Sequence, residues 1–595
     1  MAPQSAKPFA GMAKSTVAGT ADPVRAALKD CRSPFVVIGA FSALMNLLAL
    51  APSIYMLQVY DRVIPSGGLP TLFFLTLILA YALLTLSALD AIRTRLLIRI
   101  GVRLDQRLSP LLQDRLLSRA ASRLPQGVAG QTMRDVDTLR QALSGPAALA
   151  LIDLPWAPIF IGAAFLLHPF LGLFAVAGAG LLVMLSWLNQ RATKQKAENA
   201  LQANNAAYAT TDSTMSNAEA VRALGMRRAL VTRQTEERSE GMETFVDAQF
   251  ATAGYTTATR FTRLLLQSLA LGCGALLVID NKLSGGSVFA VSLLIARGLQ
   301  PVEQIIGSWS AFQAARTAYS NVMRVIRVSD DGQTTPAIVL PVPSGLVRLE
   351  NISVRSTAGR MVLHNVSFEI RPGEILGIVG ASGAGKTTLT RIMSGAIAPD
   401  AGVIRLDGAN FADWDAETLG SHIGYLPQHS GLMAGTIRDN ISRFSRWIDG
   451  DQVAIDGQII EAAKQAGIHE LILSLPSGYE TVLGPRGQGL SAGQGQRVAL
   501  ARALYGQPAF IILDEPNSHL DGAGETMLMQ ALSRARERGA SVVLVAHRST
   551  ILNITDRLLV LQDGVVANYG TRDEVTRRMA EQRRIQTASQ PTEAN

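Results

Sequence analysis

The sequence predicts an α-helical membrane domain of six spans followed by a soluble α/β domain, and three observations carry that prediction. Six apolar runs, each near the ~20 residues that a membrane helix needs, fill the first half of a 595-residue chain in which only 17% of side chains are charged. From residue 346 onward β-branched runs alternate with helical ones, the pattern of an α/β domain. Between an apolar run at 375–379 and a helical pattern at 389–393 stand Gly380, Ala381, Ser382, Gly383, Ala384, Gly385, Lys386, Thr387 and Thr388. Their G-x-x-x-x-G-K-[ST] spacing marks a phosphate-binding loop between strand and helix. The chain is accordingly divided into an N-terminal segment (1–33), a membrane domain (34–327), a linker (328–345), a nucleotide-binding domain (346–578) and a polar tail (579–595).

The first span covers residues 34–57. A turn-rich loop at 58–68 leads to the second, 70–89, and the two read as a helical hairpin. An amphipathic region at 93–140 carries ten arginines among spaced leucines and precedes the third span, 146–167. His168 and Pro169 alone separate it from the fourth, 170–188. Residues 189–252 contain no spanning run, carry eight Lys or Arg and show helical periodicity, so they read as helices leaving the membrane. The fifth span, 261–279, and the sixth, 287–306, flank a short loop. The outer loops hold Asp61, Arg62, Asp280 and Lys282 as their charges, whereas the inner segments are dense in arginine. That asymmetry predicts cytoplasmic termini. Asp153 and Arg297 fall within spans, where an unpaired charge costs roughly 2.5–3.5 kcal/mol. They are expected either to face a wet cavity or a partner, as substrate-path candidates, or to sit at the interface.

A net charge of +8 would suit nucleic acid, but the basic residues of the first half lie beside apolar runs. Membrane lipid, not nucleic acid, is the expected surroundings. Cys31 and Cys273 imply neither a disulfide framework nor a metal site. The first 32 residues are Ala-rich and polar, without the apolar core of a cleaved signal peptide.

The loop's chemistry follows from its residue types. Glycine lets backbone N–H groups converge on phosphate oxygens, Lys386 suits the outer phosphates, and Thr387 suits Mg²⁺. The run 510–516 reads as a buried strand ending in two acids, Asp514 and Glu515. Asp514 is placed to hold Mg²⁺ through water and Glu515 to polarise an attacking water; the alternative is a pair of acids that merely cap a strand.

Between these stretches lies Leu490-Ser491-Ala492-Gly493-Gln494, followed by a helical pattern at 497–504. Here the chain resembles an ATP-binding cassette (ABC) transporter, so the six-span domain is expected to have the ABC exporter fold and the cofactors to be ATP and Mg²⁺. The resemblance implies that this helix start closes on the ATP of a second copy. Ser491, Gly493 and Gln494 would then bind nucleotide across a homodimer interface. It also implies that Gln428 meets Mg²⁺ and the attacking water, that His547 contacts the γ-phosphate, and that Asp521 lies in a loop crossing the interface. Expected as catalytic are Glu515, His547 and Gln428, and as metal-binding Thr387, Gln428 and Asp514.

Residues 55–68 and 153–160 narrow the resemblance to the type I secretion ATPases, in the protease- and lipase-exporter branch. That implies ATP-driven export of an unfolded protein bearing a C-terminal signal. It also implies residence in the bacterial inner membrane, with a periplasmic adaptor and an outer-membrane channel. A lipid or drug exporter of the same architecture is the alternative. About 33 residues before the first span cannot hold a peptidase-like domain, so leader processing is not expected. Three departures stand out: Ala492 in place of the signature's first glycine, Gly495 where a basic or polar side chain is common, and Pro485 at an often acidic position. Residues 351–366 also lack the aromatic on which family members stack adenine.

Overall fold

The computed structural model describes residues 32–120, 128–330, 340–356, 359–448, 451–546 and 549–588. These divide into two compact units, with the chain passing from one to the other near residue 331. Within the first unit six helical stretches are long and apolar enough to cross a membrane: Ser33–Ser66, Leu69–Ser118, Pro146–Leu167, Pro169–Ser216, Arg227–Ile279 and Gly285–Gly307.

Three of these helices are far longer than a bilayer requires. Leu69–Ala120, Pro169–Ser216 and Arg227–Ile279 hold 52, 48 and 53 residues. At 1.5 Å per residue they are roughly 70–80 Å long, more than twice the hydrocarbon core. The second span and much of the amphipathic region read separately are therefore one rod, apolar at one end and arginine-rich at the other. Hydropathy marks where such a rod leaves the membrane, not where it ends.

The loop expected at 58–68 is mostly helical. The first span breaks after Leu48, where Pro52 falls in the first turn of Ala51–Gln58, then continues as a π-turn, Val59–Val63, and as Ile64–Ser66. Only Gly67, left-handed at φ 60°, ends it. The reason lies in Asp61, whose carboxylate accepts from the Ser284 hydroxyl and from the Gly286 N–H (2.7 Å) at the start of Gly285–Gly307. Beside it Tyr60 stacks on Phe289 at 4.3 Å between ring centroids.

Asp153 has a partner. Arg93 donates to it at 2.6 Å and to Asp90 at 2.9 Å, and the Ser42 hydroxyl donates to Asp153 as well. One buried guanidinium thus ties together the Arg32–Leu48, Leu69–Ala120 and Pro146–Asp153 helices.

The second unit is built on strands β1 (Val347–Arg355), β2 (Met361–Ile370), β3 (Ile375–Val379), β4 (Ala401–Leu406), β5 (Ala409–Asn410), β6 (Ile423–Leu426), β7 (Gly435–Thr436), β8 (Val482–Leu483), β9 (Phe510–Asp514), β10 (Ser541–Val545), β11 (Arg557–Gln562) and β12 (Val565–Thr571). The main sheet runs β12-β11-β3-β10-β9-β6. Its five strands from β11 to β6 are parallel and β12 pairs antiparallel to β11. A smaller antiparallel sheet, β2-β1-β4-β5, stands beside it. Every residue of β9 and β10 is buried, as expected of parallel strands covered on both faces. Ile378 of β3 and Asp514 of β9 both lie opposite Val545 of β10, and Leu426 of β6 lies opposite Leu513. The carboxyl ends of four adjacent strands therefore finish level, and the chain leaves them toward one crevice.

Candidate active site

The residues from Gly380 to Thr388 leave β3 at that edge. Gly385 caps the helix Lys386–Met393 with φ 100°, and a Cβ there would stand 2.8 Å from Leu363 Cδ2 and 3.0 Å from Val362 O. Only glycine meets both the backbone hand and the space. Lys386 is buried, and its Nζ donates to the carbonyls of Gly380 (2.8 Å) and Ala381 (2.9 Å). An ammonium has three donors, and the loop's own carbonyls hold two of them over the loop mouth.

Asp514 ends β9 at 1% exposure. Its Oδ2 accepts from Thr390 Oγ1 at 3.1 Å, while Oδ1 is buried without a hydrogen-bond partner. Burial pushes this carboxyl above the ordinary range, against the nearby hydroxyls of Thr387 and Thr390 and the Lys386 ammonium. An orphaned carboxylate oxygen beside a threonine hydroxyl fits Mg²⁺, a hard cation that takes oxygen ligands and completes its shell with water and substrate phosphates. Among the described residues no cluster of three or more His, Cys, Asp or Glu occurs.

Glu515 follows with its backbone in the left-handed region, φ 54°. Its N–H donates to Val545 O at 3.0 Å. Gln428, exposed two residues beyond β6, donates through Nε2 to Glu515 Oε2 at 3.4 Å. Lys386, Thr387, Asp514, Glu515 and Gln428 thus gather at one edge of one sheet. His547 follows β10 by two positions and lies outside the described residues.

Ser491, Gly493 and Gln494 occupy a different place. Ser491 caps the helix Ala492–Leu504 in a reciprocal box: its Oγ accepts from Gln494 N (3.3 Å) and its N–H donates to Gln494 Oε1 (2.9 Å). A Cβ on Gly493 would lie 2.8 Å from His519 O, so this turn packs on the 515–519 loop backbone to backbone. Among the described residues no hydrogen bond or ion pair joins these three residues to the phosphate loop of the same chain. Ala492 is exposed, and at Gly495 a methyl would meet only ordinary contacts beyond 3.5 Å. Asp521 caps Gly522–Glu537 by accepting from Gly524 N (2.9 Å) and pairs with Arg497 Nη2 (2.6 Å). The bond from Gly524 and the Arg497 charge hold its carboxyl below the usual range.

The sequence reading missed Gln496 and Thr390. Gln496 is 6% exposed; its Nε2 donates to Glu515 O and to Ser518 Oγ (both 3.2 Å), and its Oε1 accepts from His519 N (3.0 Å). One buried amide therefore links the start of the Ala492–Leu504 helix to the backbone that carries Glu515. The available signal was a polar side chain on the otherwise apolar stripe of that helix.

A phosphate loop, an acid-ended central strand, a capped helix start and a six-span helical unit define an ATP-hydrolysing membrane transporter. The ABC transporter family matches residues 363–518 and the ABC transporter transmembrane region matches 35–302. The type I secretion system ATP-binding protein PrsD of Rhizobium meliloti (strain 1021) is 40% identical over 93% of this chain and 94% of its own length. The leukotoxin translocation ATP-binding protein LktB of Mannheimia haemolytica is 30% identical over 90% of this chain and 75% of its own. A bacterial Atm1-family ABC exporter solved with ATP bound superposes at a TM-score of 0.78, covering 95% of this chain and 99% of its own at 22% identity, and so shows the exporter fold. The chain belongs to the ABC transporters, in the branch of the type I secretion ATP-binding proteins. It is a multi-pass membrane protein and an ATPase.

Proposed function

We propose that the chain is the ATPase and permease of a type I secretion system, exporting an unfolded protein with a C-terminal signal across the bacterial inner membrane. The observation that carries the reading is the 40% identity to PrsD, which runs through the membrane domain as well as the nucleotide domain. Two copies work together with cytoplasmic termini, joined outside to a periplasmic adaptor and an outer-membrane channel.

Each copy uses the residues at its own sheet edge. Lys386 and the backbone N–H groups of residues 380–388 hold the nucleotide phosphates. Thr387, Asp514 and Gln428 would hold Mg²⁺, which supplies charge neutralisation on the phosphate oxygens. The Glu515 carboxylate takes the proton of the water that attacks the γ-phosphorus as the bond to the ADP oxygen breaks. Gln428, already within reach of Glu515, positions that water, and His547 contacts the γ-phosphate. The second copy supplies the Ser491 hydroxyl, the Gly493 N–H and Gln494. An exposed helix start whose Ser hydroxyl is free to turn suits an incoming anion. Closure on ATP moves the long helices; hydrolysis resets them.

The test is recovery of the Glu515→Gln protein from native membranes in ATP, with mass spectrometry of what accompanies it. An adaptor, an outer-membrane channel and a stalled polypeptide are expected. A homodimer carrying only lipid or small molecules would transfer the reading to a lipid or drug exporter.

A further inference from the structure

Gln428 stands in a stretch that the sheet does not hold. β6 ends at Leu426, and among the described residues 427–432 make no backbone–backbone hydrogen bond. Gln428 is exposed there, yet its amide reaches Glu515 at 3.4 Å. Among the described residues the other polar contacts of the stretch come from one side chain. Arg502 donates through Nη2 to Ser430 O (2.6 Å) and through Nη1 to Gly431 O (3.0 Å). Leu432, 4% exposed, then returns the chain to the core, and Asn440 bonds the N–H and the carbonyl of Met433, both at 2.9 Å.

A guanidinium presents its donors in a rigid planar fork, and here the fork takes two successive carbonyls. Gly431 lies between the two peptide planes with φ 56°, a hand that glycine adopts freely, and so sets the angle at which they meet it. Arg502 has no carboxylate partner among the described residues; its donors serve the loop. Its own position is fixed from behind. Arg443 donates to the carbonyls of Arg502 (3.2 Å), Ala503 (3.4 Å) and Tyr505 (3.4 Å) at the end of the Ala492–Leu504 helix, and to Gly420 O (2.6 Å). It thereby satisfies carbonyls that the end of a helix leaves open. Nearer the start of the same helix, Gln496 holds the carbonyl of Glu515. One helix thus grips, by two side chains, both of the loops whose Gln428 and Glu515 side chains meet.

From this geometry we infer that Arg502 is a positioning residue for ATP hydrolysis. By gripping the carbonyls of Ser430 and Gly431 it sets where Gln428 stands relative to Glu515, and hence to the metal and water at that edge. It touches neither itself and acts through Gln428. The inference rests on the role proposed for Gln428 and deepens it: the residue that meets Mg²⁺ is aimed by the helix that starts at Ser491.

The test uses the full chain in nanodiscs with a non-hydrolysable ATP analogue, and Mn²⁺ as a paramagnetic stand-in that shares the oxygen-ligand preference of Mg²⁺. Bound and free Mn²⁺ are separated by electron paramagnetic resonance. Arg502→Met, which keeps the length and removes the donors, should weaken Mn²⁺ binding by about tenfold, the lower end of what losing a supporting residue costs a metal site. Arg502→Lys, with one ammonium for two carbonyls, should fall between that variant and the parent. Binding of the analogue in EDTA should stay within about twofold of the parent in both variants, since the phosphate loop is untouched. Because Arg502 acts through Gln428, the Gln428→Ala/Arg502→Met double variant should bind Mn²⁺ like Gln428→Ala alone. A further loss in the double variant, parental Mn²⁺ affinity in Arg502→Met, or an equal fall of analogue binding in EDTA makes Arg502 merely structural and leaves the role of Gln428 standing. Parental Mn²⁺ affinity in Gln428→Ala overturns both. Should Arg502→Met fail to fold, Arg502→Lys decides alone and in combination with Gln428→Ala, by the same comparisons.

Discussion

At the scale of single residues, Glu515 is held in a backbone conformation that side-chain-bearing residues rarely adopt. The structure maintains it from both sides: Val545 O accepts from its N–H and the Gln496 amide donates to its carbonyl. Glu515→Gln keeps the size and removes the proposed base, so phosphate release should fall by about 10²–10⁴-fold, the usual worth of general-base catalysis, while ATP binding persists. Equal rates in the two proteins would displace Glu515 from that role. Asp514 predicts a pH effect of definite sign. Its folded-state carboxyl is raised by burial, so the nucleotide-free fold gains from its protonation at low pH and loses that contribution as pH rises through the folded value. Asp514→Asn should therefore unfold at a higher temperature than the parent near pH ~7, with the difference vanishing below the ordinary carboxylate range of about 4, while hydrolysis is lost. Thermal unfolding without nucleotide across that interval checks it. The acids at 514 and 515 were legible as a pair ending an apolar strand. The left-handed turn of Glu515 and the orphaned oxygen of Asp514 were not, because both follow from neighbouring strands far away in sequence.

At the scale of elements, the Ala492–Leu504 helix is coupled to the 515–519 loop through one amide and one missing side chain. Gln496→Leu leaves the His519 N–H without its partner, at a cost of about 1–3 kcal/mol, and takes from the Glu515 carbonyl one of its donors, the Ser518 N–H remaining. It should lower both the unfolding temperature and the hydrolysis rate. Denaturation and phosphate release, measured on the same sample, check the pair. In the membrane unit Arg93→Ala strands Asp153 as a partly buried charge, which costs roughly 3–5 kcal/mol when a buried pair is broken. Detergent-solubilised thermal unfolding should show that loss, and the Arg93→Ala/Asp153→Ala double variant should be milder than the single one. The apolar runs made the spans readable, but element length was hidden. Leu69–Ala120 even accommodates Pro110 in its interior, a residue that sequence reasoning treats as a stop. The network of Ser42, Arg93 and Asp153 was half visible: the charge within the third span stood out, while its partner lay in an arginine-rich stretch with nothing to single it out.

For the whole molecule, the separation of Ser491 from the phosphate loop within one chain makes the dimer testable. In the proposed homodimer, the Lys386→Ala and Ser491→Ala proteins would each lose a component at both sites. In mixed dimers one site loses both components and the other keeps both. Co-expression should restore roughly a quarter of the parental rate, since about half of randomly paired dimers are mixed and each has one intact site of two. No recovery in mixed dimers would mean that each chain completes its own site. On the proposed orientation, with cytoplasmic termini, a clasp lies at the outer end of the first unit and bears on how such a dimer can open. Asp61 and Tyr60 are fastened to the first turns of Gly285–Gly307, so the first and last spans are staves glued at their outer tips. With the export function and orientation proposed above, an exit path would part along the seams on either side of this pair rather than between them. The bend that allows this has a natural location at Pro52, where the first stave is already notched.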